Sequence, residues 1–224
     1  MRHHGWFAAA GACVVASAVH ADTVTIFDGT FNDSDWALSV NQYGTGGGSG
    51  AASQVLSGGF GDNGAARMTA NTANPTYSGA YNASLYTAFT YNPSAGGALT
   101  DLNISFDARY IDGLSAIGAV VRQNGVDWFW GYEINTPDWQ HWSFTPTDTG
   151  WVRFENSAGV GGPGPDFSAN GGALTFGFYS ANGTAGGWYY TNTGLYDNFT
   201  VTFVPAPGAV LGLAMLPMIR RRRR

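Results

Sequence analysis

The sequence predicts an all-β fold, a two-sheet β-sandwich of jelly-roll type, flanked by an N-terminal signal helix and a short C-terminal apolar helix. Three observations lead there. Residues 22–204 are rich in aromatic, Thr, Asn and Gly residues, contain no lysine and hold only two glutamates, Glu133 and Glu155. That balance disfavours helix and suits short strands joined by turns. Apolar residues recur at period two in several runs, the mark of strands with one buried face. Glycine-rich segments punctuate those runs, and none of the runs carries a helical period.

The clearest strand is Leu102 to Tyr110. Leu102, Ile104, Phe106, Ala108 and Tyr110 share one face, and Asn103, Ser105, Asp107 and Arg109 share the other. Further strands are expected over Thr23–Phe27, Ala116–Arg122, Trp128–Ile134, Trp142–Thr145, Trp151–Glu155, Leu174–Ser180 and Asp197–Val204. In the last, Phe199, Val201 and Phe203 alternate with Asn198, Thr200 and Thr202. Asn124-Gly125 between two of these runs is the strongest tight-hairpin signal. Gly44–Gly50, Gly159–Pro165 and Asn182–Gly187 read as loops.

The two ends have a different character. Residues 1–21 open with Arg2, run through an apolar stretch from Trp6 to Val19 and finish in small residues, the pattern of a secretory signal peptide. Val19 and Ala21 precede the expected cut, so the mature chain begins at Asp22. The apolar run is short against the roughly 20 residues that span a bilayer. Cys13, the single cysteine, lies inside this segment. A lipoprotein reading with Cys13 lipidated would leave a very short apolar stretch before it. Cleavage at Ala21 leaves a domain without thiol, disulfide or cysteine-based metal site.

Residues 205–224 comprise Pro205-Ala206-Pro207-Gly208, an apolar stretch from Ala209 to Ile219, and five arginines, Arg220 to Arg224. A basic block after an apolar segment stops translocation and keeps the tail on the cytoplasmic side. The segment is short and Pro217 disturbs its last turn, which suits a transient anchor. This end resembles the PEP-CTERM sorting signal of exported bacterial proteins, with Ala206 where the glutamate usually stands. The resemblance implies handling by secretion and exosortase-type sorting machinery, transient membrane insertion, and processing around Pro205, Ala206 and Pro207 ahead of Arg220. The chain thus divides into a signal peptide (1–21), a β-sandwich domain (22–204) and a sorting tail (205–224).

Without its two ends the chain keeps four arginines against fifteen acidic residues, a formal net charge of −11. Such a domain repels phosphate backbones, which excludes nucleic acid as a partner. Catalytic parts are sparse. His141 is the only histidine of residues 22–204, and no Gly-x-Ser-x-Gly elbow occurs. The expectation is therefore no enzyme, with a polysaccharide hydrolase or lyase using Glu133, Glu155 or an aspartate as the alternative.

Aromatic surfaces are abundant. From Asp127 to Glu155 the chain carries Trp128, Phe129, Trp130, Tyr132, Trp139, Trp142, Phe144 and Trp151. Strand alternation puts Trp128, Trp130, Tyr132 and Ile134 on one face, expected to be buried, and leaves Phe129 partly exposed on the other. Trp139 is expected to lock a strand entry. Trp188, Tyr189 and Tyr190 follow a glycine-rich loop, where aromatics have less reason to be core. Flat rings accept the C–H face of a sugar, so Phe129, Trp188, Tyr189 and Tyr190 are the candidate polysaccharide contacts.

A second resemblance covers most of residues 23–204. Phe27-Asp28-Gly29-Thr30-Phe31-Asn32-Asp33-Ser34-Asp35-Trp36 is similar to the opening of jelly-roll carbohydrate-binding modules, and Tyr196-Asp197-Asn198-Phe199-Thr200-Val201 to their closing strand. It implies a structural calcium held by Asp28, Asn32 and Asp197. The plainer reading of Asp28 as a turn residue stands beside it. The expected function is that of an exported, non-catalytic surface or matrix protein that associates with polysaccharide. A permanently anchored envelope protein is the other alternative.

Overall fold

A computed structural model describes residues 22–206, apart from residues 63 and 157. The expected signal helix, the apolar C-terminal helix and the positions Ala21, Pro207 and Arg220 lie outside them. Among the described residues thirteen strands follow one another: β1 (Val24–Asp28), β2 (Trp36–Gly44), β3 (Gly48–Val55), β4 (Ala66–Ala73), β5 (Ser78–Tyr86), β6 (Leu99–Asp112), β7 (Ala116–Gln123), β8 (Val126–Ile134), β9 (Gln140–Phe144), β10 (Trp151–Glu155), β11 (Ala158–Gly162), β12 (Leu174–Thr184) and β13 (Tyr190–Pro205). Among the described residues no helix is long and apolar enough to cross a membrane.

The strands form two antiparallel sheets. One runs β3-β4-β13-β6-β9, with β1 also paired to β13; the other runs β11-β10-β8-β7-β12-β5-β2. The long strand β13 organises the first sheet. Its leading half pairs with β4 from Tyr190↔Ala73 to Tyr196↔Arg67, and its trailing half pairs with β1 from Asp28↔Phe199 to Val24↔Phe203. Consequently the chain enters the sandwich at the same pole from which it leaves. At that exit the Ala206 amide donates to the Ala98 carbonyl at 2.6 Å, so Pro205 and Ala206 still belong to the folded body.

Between the sheets the core has two parts. Near the entry pole it is aromatic: Phe106, Phe178, Tyr196, Phe199, Phe203 and Trp36 are all buried there. Phe178 stacks on Tyr196 with centroids 4.3 Å apart, and Trp36 meets Phe31 at 5.1 Å. Arg67, fully enclosed, lies over the Trp36 ring at 5.3 Å and donates to Ser84 and Asp33. Toward the opposite pole the filling is polar. The Asn71 amide donates to Ser180 and Asn192, Asn182 donates to the Asn71 and Tyr190 carbonyls, and Asn192 to those of Leu114 and Ala181. The amide donors are thus satisfied, as buried polar groups require, whereas the Asn71 and Asn182 Oδ1 atoms have no partner among the described residues.

That polar filling explains which strands escape a hydropathy reading. All eight predicted strands are present, seven of them within four residues at each end, whereas β13 starts at Tyr190, seven residues before the expected Asp197. β2 to β5 are absent from the prediction: β4 and β5 bury Arg67, Thr69, Asn71, Asn82 and Ser84, β3 turns Gly48 and Gly50 inward, and β2, although it buries Trp36 and turns Val40 inward, ends in polar Asn41 and Gln42. Three segments read as loops contribute to strands: Gly159–Pro165 to β11, Gly44–Gly50 to the end of β2 and the start of β3, and Asn182–Gly187 to the end of β12, through Thr184. The Asn124-Gly125 hairpin forms as expected, both residues at positive φ, 53° and 78°.

Candidate functional site

The seven-stranded sheet turns a second aromatic face away from the main core. Tyr43 on β2, Tyr81 on β5, Tyr179 on β12, Phe129 on β8 and Phe154 on β10 meet there. Tyr81 is the hub, with ring centroids 4.5 Å from Phe154, 5.3 Å from Phe129, 5.5 Å from Tyr179 and 5.9 Å from Tyr43. Leu85, Val120, Ala83 and Ala181 fill the floor beneath them. Burial pushes the Tyr81 hydroxyl up to about 12 and raises that of Tyr179 as well. Both therefore stay neutral at physiological pH.

A single bulge in β8 shapes this face. Ile117 pairs with Glu133 and Ala119 with Trp130, so Gly131 and Tyr132 together oppose Gly118. Gly131 adopts φ 78°, and a Cβ there would stand 2.7 Å from the Phe144 ring. Before the bulge Trp128 and Trp130 point into the main core. After it, Tyr132 and Ile134 turn outward to line the second face. The expected single face of Trp128, Trp130, Tyr132 and Ile134 is therefore split. Strict alternation fails because one residue is inserted, and Tyr132, expected inside, is 65% exposed.

Two pockets open on either side of Tyr81 and Tyr132. One, of roughly 430 Å3, is lined by Phe129, Trp130, Gly131, Thr149, Gly150, Val152 and Tyr179. The other, of roughly 270 Å3, lies toward the pole opposite the termini, among Tyr43, Leu114, Ser115, Ile134, Asn182 and Tyr190. Rings and hydroxyls thus line both pockets, and the smaller one adds the Asn182 amide. Glu133 and Glu155 are exposed, the latter paired with Arg153 at 2.5 Å.

The expected contact residues are distributed unequally. Trp188 and Tyr189 are exposed at the loop before β13, 77% and 69%. Tyr190 is half-buried: its hydroxyl accepts from the Leu114 amide at 2.7 Å, which holds it at the rim of the smaller pocket. Phe129 is only 3% exposed. It shapes the floor and offers no open platform, because Phe154 and Tyr81 cover it. Trp139 is clamped between Arg109, at 5.2 Å, and Phe60, at 6.1 Å. Sequence reasoning missed Tyr43, Tyr81, Phe154 and Tyr179. For Tyr81 a signal exists in the alternation Gly79, Tyr81, Ala83, Leu85 along β5.

The residues expected to hold calcium do not fit a calcium shell as they are placed. Asp28 is buried, and its Oδ1 accepts from the Thr30 amide and hydroxyl and the Phe31 amide, its Oδ2 from the Trp36 indole at 2.7 Å. Burial works to raise its pKa, but these hydrogen bonds together outweigh it and hold the carboxyl below the usual value. Asp28 is the turn residue of the plainer reading. Asn32 is exposed, donates its amide to Thr30 and points its oxygen toward Gln54. Asp197 spends its oxygens on the Phe60 and Asn198 amides; burial, with Asp107 and Asp28 nearby, leaves its pKa raised. No group of three His, Cys, Asp or Glu residues positioned to hold a metal occurs among the described residues. His141 is oriented by Asp107, Nδ1 to Oδ1 2.9 Å, while Asn198 donates to the other Asp107 oxygen at 2.7 Å.

No family model matches the chain, and no curated protein matches it in sequence. Several solved structures are similar in fold. One is a family 11 carbohydrate-binding module from Clostridium thermocellum in complex with a β-1,3-1,4-mixed-linked tetrasaccharide, at 14% identity and TM-score 0.45, covering 83% of this chain and 96% of that one. Another is the CBM22-1 xylan-binding domain from Paenibacillus barcinonensis Xyn10C, at 13% identity and TM-score 0.43, covering 85% of this chain and 99% of that one.

Proposed function

We propose that the protein is an exported, non-catalytic β-sandwich of jelly-roll type that associates with polysaccharide at the cell surface or in the extracellular matrix. The observation that carries this reading is the pair of tyrosine-lined pockets beside Tyr81 and Tyr132. Sugar C–H faces pack on such rings, and the Tyr43 hydroxyl at the smaller pocket takes a sugar hydroxyl. Its supports at the two ends are the leader pattern of residues 1–21 and the Pro205-Ala206-Pro207 tail with its arginines. Exosortase-type machinery would act on that tail after transient membrane insertion.

A panel of immobilised oligosaccharides and cell-derived polysaccharide tests the binding half, comparing the chain with Tyr132→Ala. Tyr132 is exposed, so its loss leaves the fold intact and weakens retention about three- to tenfold, the worth of one aromatic contact. Absence of any retained glycan overturns the binding reading.

A further inference from the structure

Leu85 and Val120 are fully buried and Tyr179 is 2% exposed, yet all three lie on the outward side of the seven-stranded sheet. An outward sheet face is buried only when something crosses it. Here the crossing element is the β10–β11 hairpin, an arm at one edge of the sheet. Its Phe154 reaches the opposite edge, 4.5 Å from Tyr81 and stacked 6.2 Å from Tyr43. Beside it the Asn41 amide of β2 donates to Asp127 of β8 at 2.9 Å, and Arg122 holds the same carboxylate. The two margins of the sheet are thus clasped together, and what remains open is the pair of pockets on the Tyr132 side.

We infer that Phe154 is a specificity plug. Resting on the polysaccharide reading above, this assigns the site to short sugar units, meaning chain ends or side branches, and closes the aromatic run to an extended chain. Two features support it. Each pocket, roughly 270 and 430 Å3, is at the low end for a ligand cavity and suits one or two sugar rings. Phe154 covers Tyr43, Tyr81 and Phe129, three rings in edge-to-face contact that would otherwise form one open aromatic row. In the ladder β10 meets β8 through one register pair, Val152↔Phe129, and β11 pairs with β10 alone, so the arm is held mainly by side chains, Trp151 in the main core and Phe154 on the outward face.

The test is a chain-length series of β-linked gluco- and xylo-oligosaccharides, from mono- to hexasaccharide, measured against the chain and its Phe154→Ala variant. The chain is expected to gain no affinity beyond the disaccharide, whereas Phe154→Ala gains about tenfold by the hexasaccharide as rings are uncovered. Thermal unfolding verifies that the variant is folded. Phe154→Leu, which keeps apolar bulk without the ring, gives a smaller gain in the same direction should the alanine variant unfold. Affinity of the unaltered chain that climbs with length, unchanged in both variants, overturns the plug and leaves the polysaccharide reading standing. Retention of no sugar by any form overturns both.

Discussion

Phe154 and Tyr81 lie ring to ring at 4.5 Å although three strands, β8, β7 and β12, separate theirs in the sheet. The seven-stranded sheet is rolled until its margins touch, and its outward face has become a second core. Outward residues there should behave as inward ones do. Leu85→Ala is expected to cost about 2–5 kcal/mol in urea unfolding, the range for a buried leucine. A cost within about 0.5 kcal/mol would be that of an open surface and would contradict the rolled arrangement.

The bulge at Gly131 supplies the next expectation. Gly131→Ala places a methyl group 2.7 Å from Phe144 at a positive φ that side chains avoid. We expect a loss of about 1–3 kcal/mol together with weaker glycan retention, because Tyr132 and Ile134 are aimed by this bulge. Alanine at Gly125, which also has positive φ but open space around it, costs stability without affecting retention.

Acid stability follows from Asp28 and Asp197, which act with opposite sign. The folded-state pKa of Asp28 lies below the ordinary 3.8, so its contribution is complete above that value and disappears as pH falls through the lower folded one. Asp197 stands above 3.8 when folded; its contribution is complete below 3.8 and lost as pH rises through the folded value. Asp28→Asn should cost about 1–3 kcal/mol at neutral pH, from weakened charge-assisted bonds, with the gap to the unaltered chain closing below pH 4. Denaturant melts across the acid range would show it, and a gap constant with pH would contradict the assignment.

Because the Asp28 oxygens are taken by four protein donors, added calcium and a chelator should leave the unfolding temperature unchanged. A midpoint that rises with calcium concentration would mean a site that binds the folded state, and would return Asp28, Asn32 and Asp197 to the role the sequence suggests.

Processing at the two ends is read directly by intact mass of the cell-derived protein. The expected mature chain starts at Asp22 and ends beyond Ala206, whose amide is bonded to Ala98 within the folded body. A mass that retains Arg220 to Arg224 would instead support a permanent anchor.

Much of the frame is legible in the residues. Leu102 to Tyr110 and Asp197 to Val204 announce their strands by alternation, and Asn124-Gly125 its hairpin, because in these segments local pattern and tertiary burial agree. β4 and β5 do not announce themselves, since Asn71, Asn82 and Ser84 are buried by hydrogen bonding that no hydropathy pattern carries. The site is less legible still. One inserted residue at Gly131 exchanges the faces of β8, and Phe129 is buried by a strand, β10, whose path across the sheet is set by curvature and not by its own sequence. Trp188 and Tyr189 are exposed, as loop-tip rings with few ways to be buried are expected to be, but of that run only Tyr190 lines a pocket.

The shared pole of β1 and the end of β13 has a mechanical consequence. β13 is 16 residues long, about 50 Å at about 3.3 Å per residue, and the tyrosine-lined pocket near Tyr190 lies at its far end. On the proposed reading, a pull between the C-terminal end of β13 and a glycan held near Tyr190 would run along this strand. Its ladder bonds to β4, β6 and β1 lie across that pull and are loaded in shear, many at once. Force applied between the two ends of the chain instead peels β1 away from Val24, one bond at a time. The sandwich is therefore stiff to a pull along β13 and weak to one that separates the two ends of the chain.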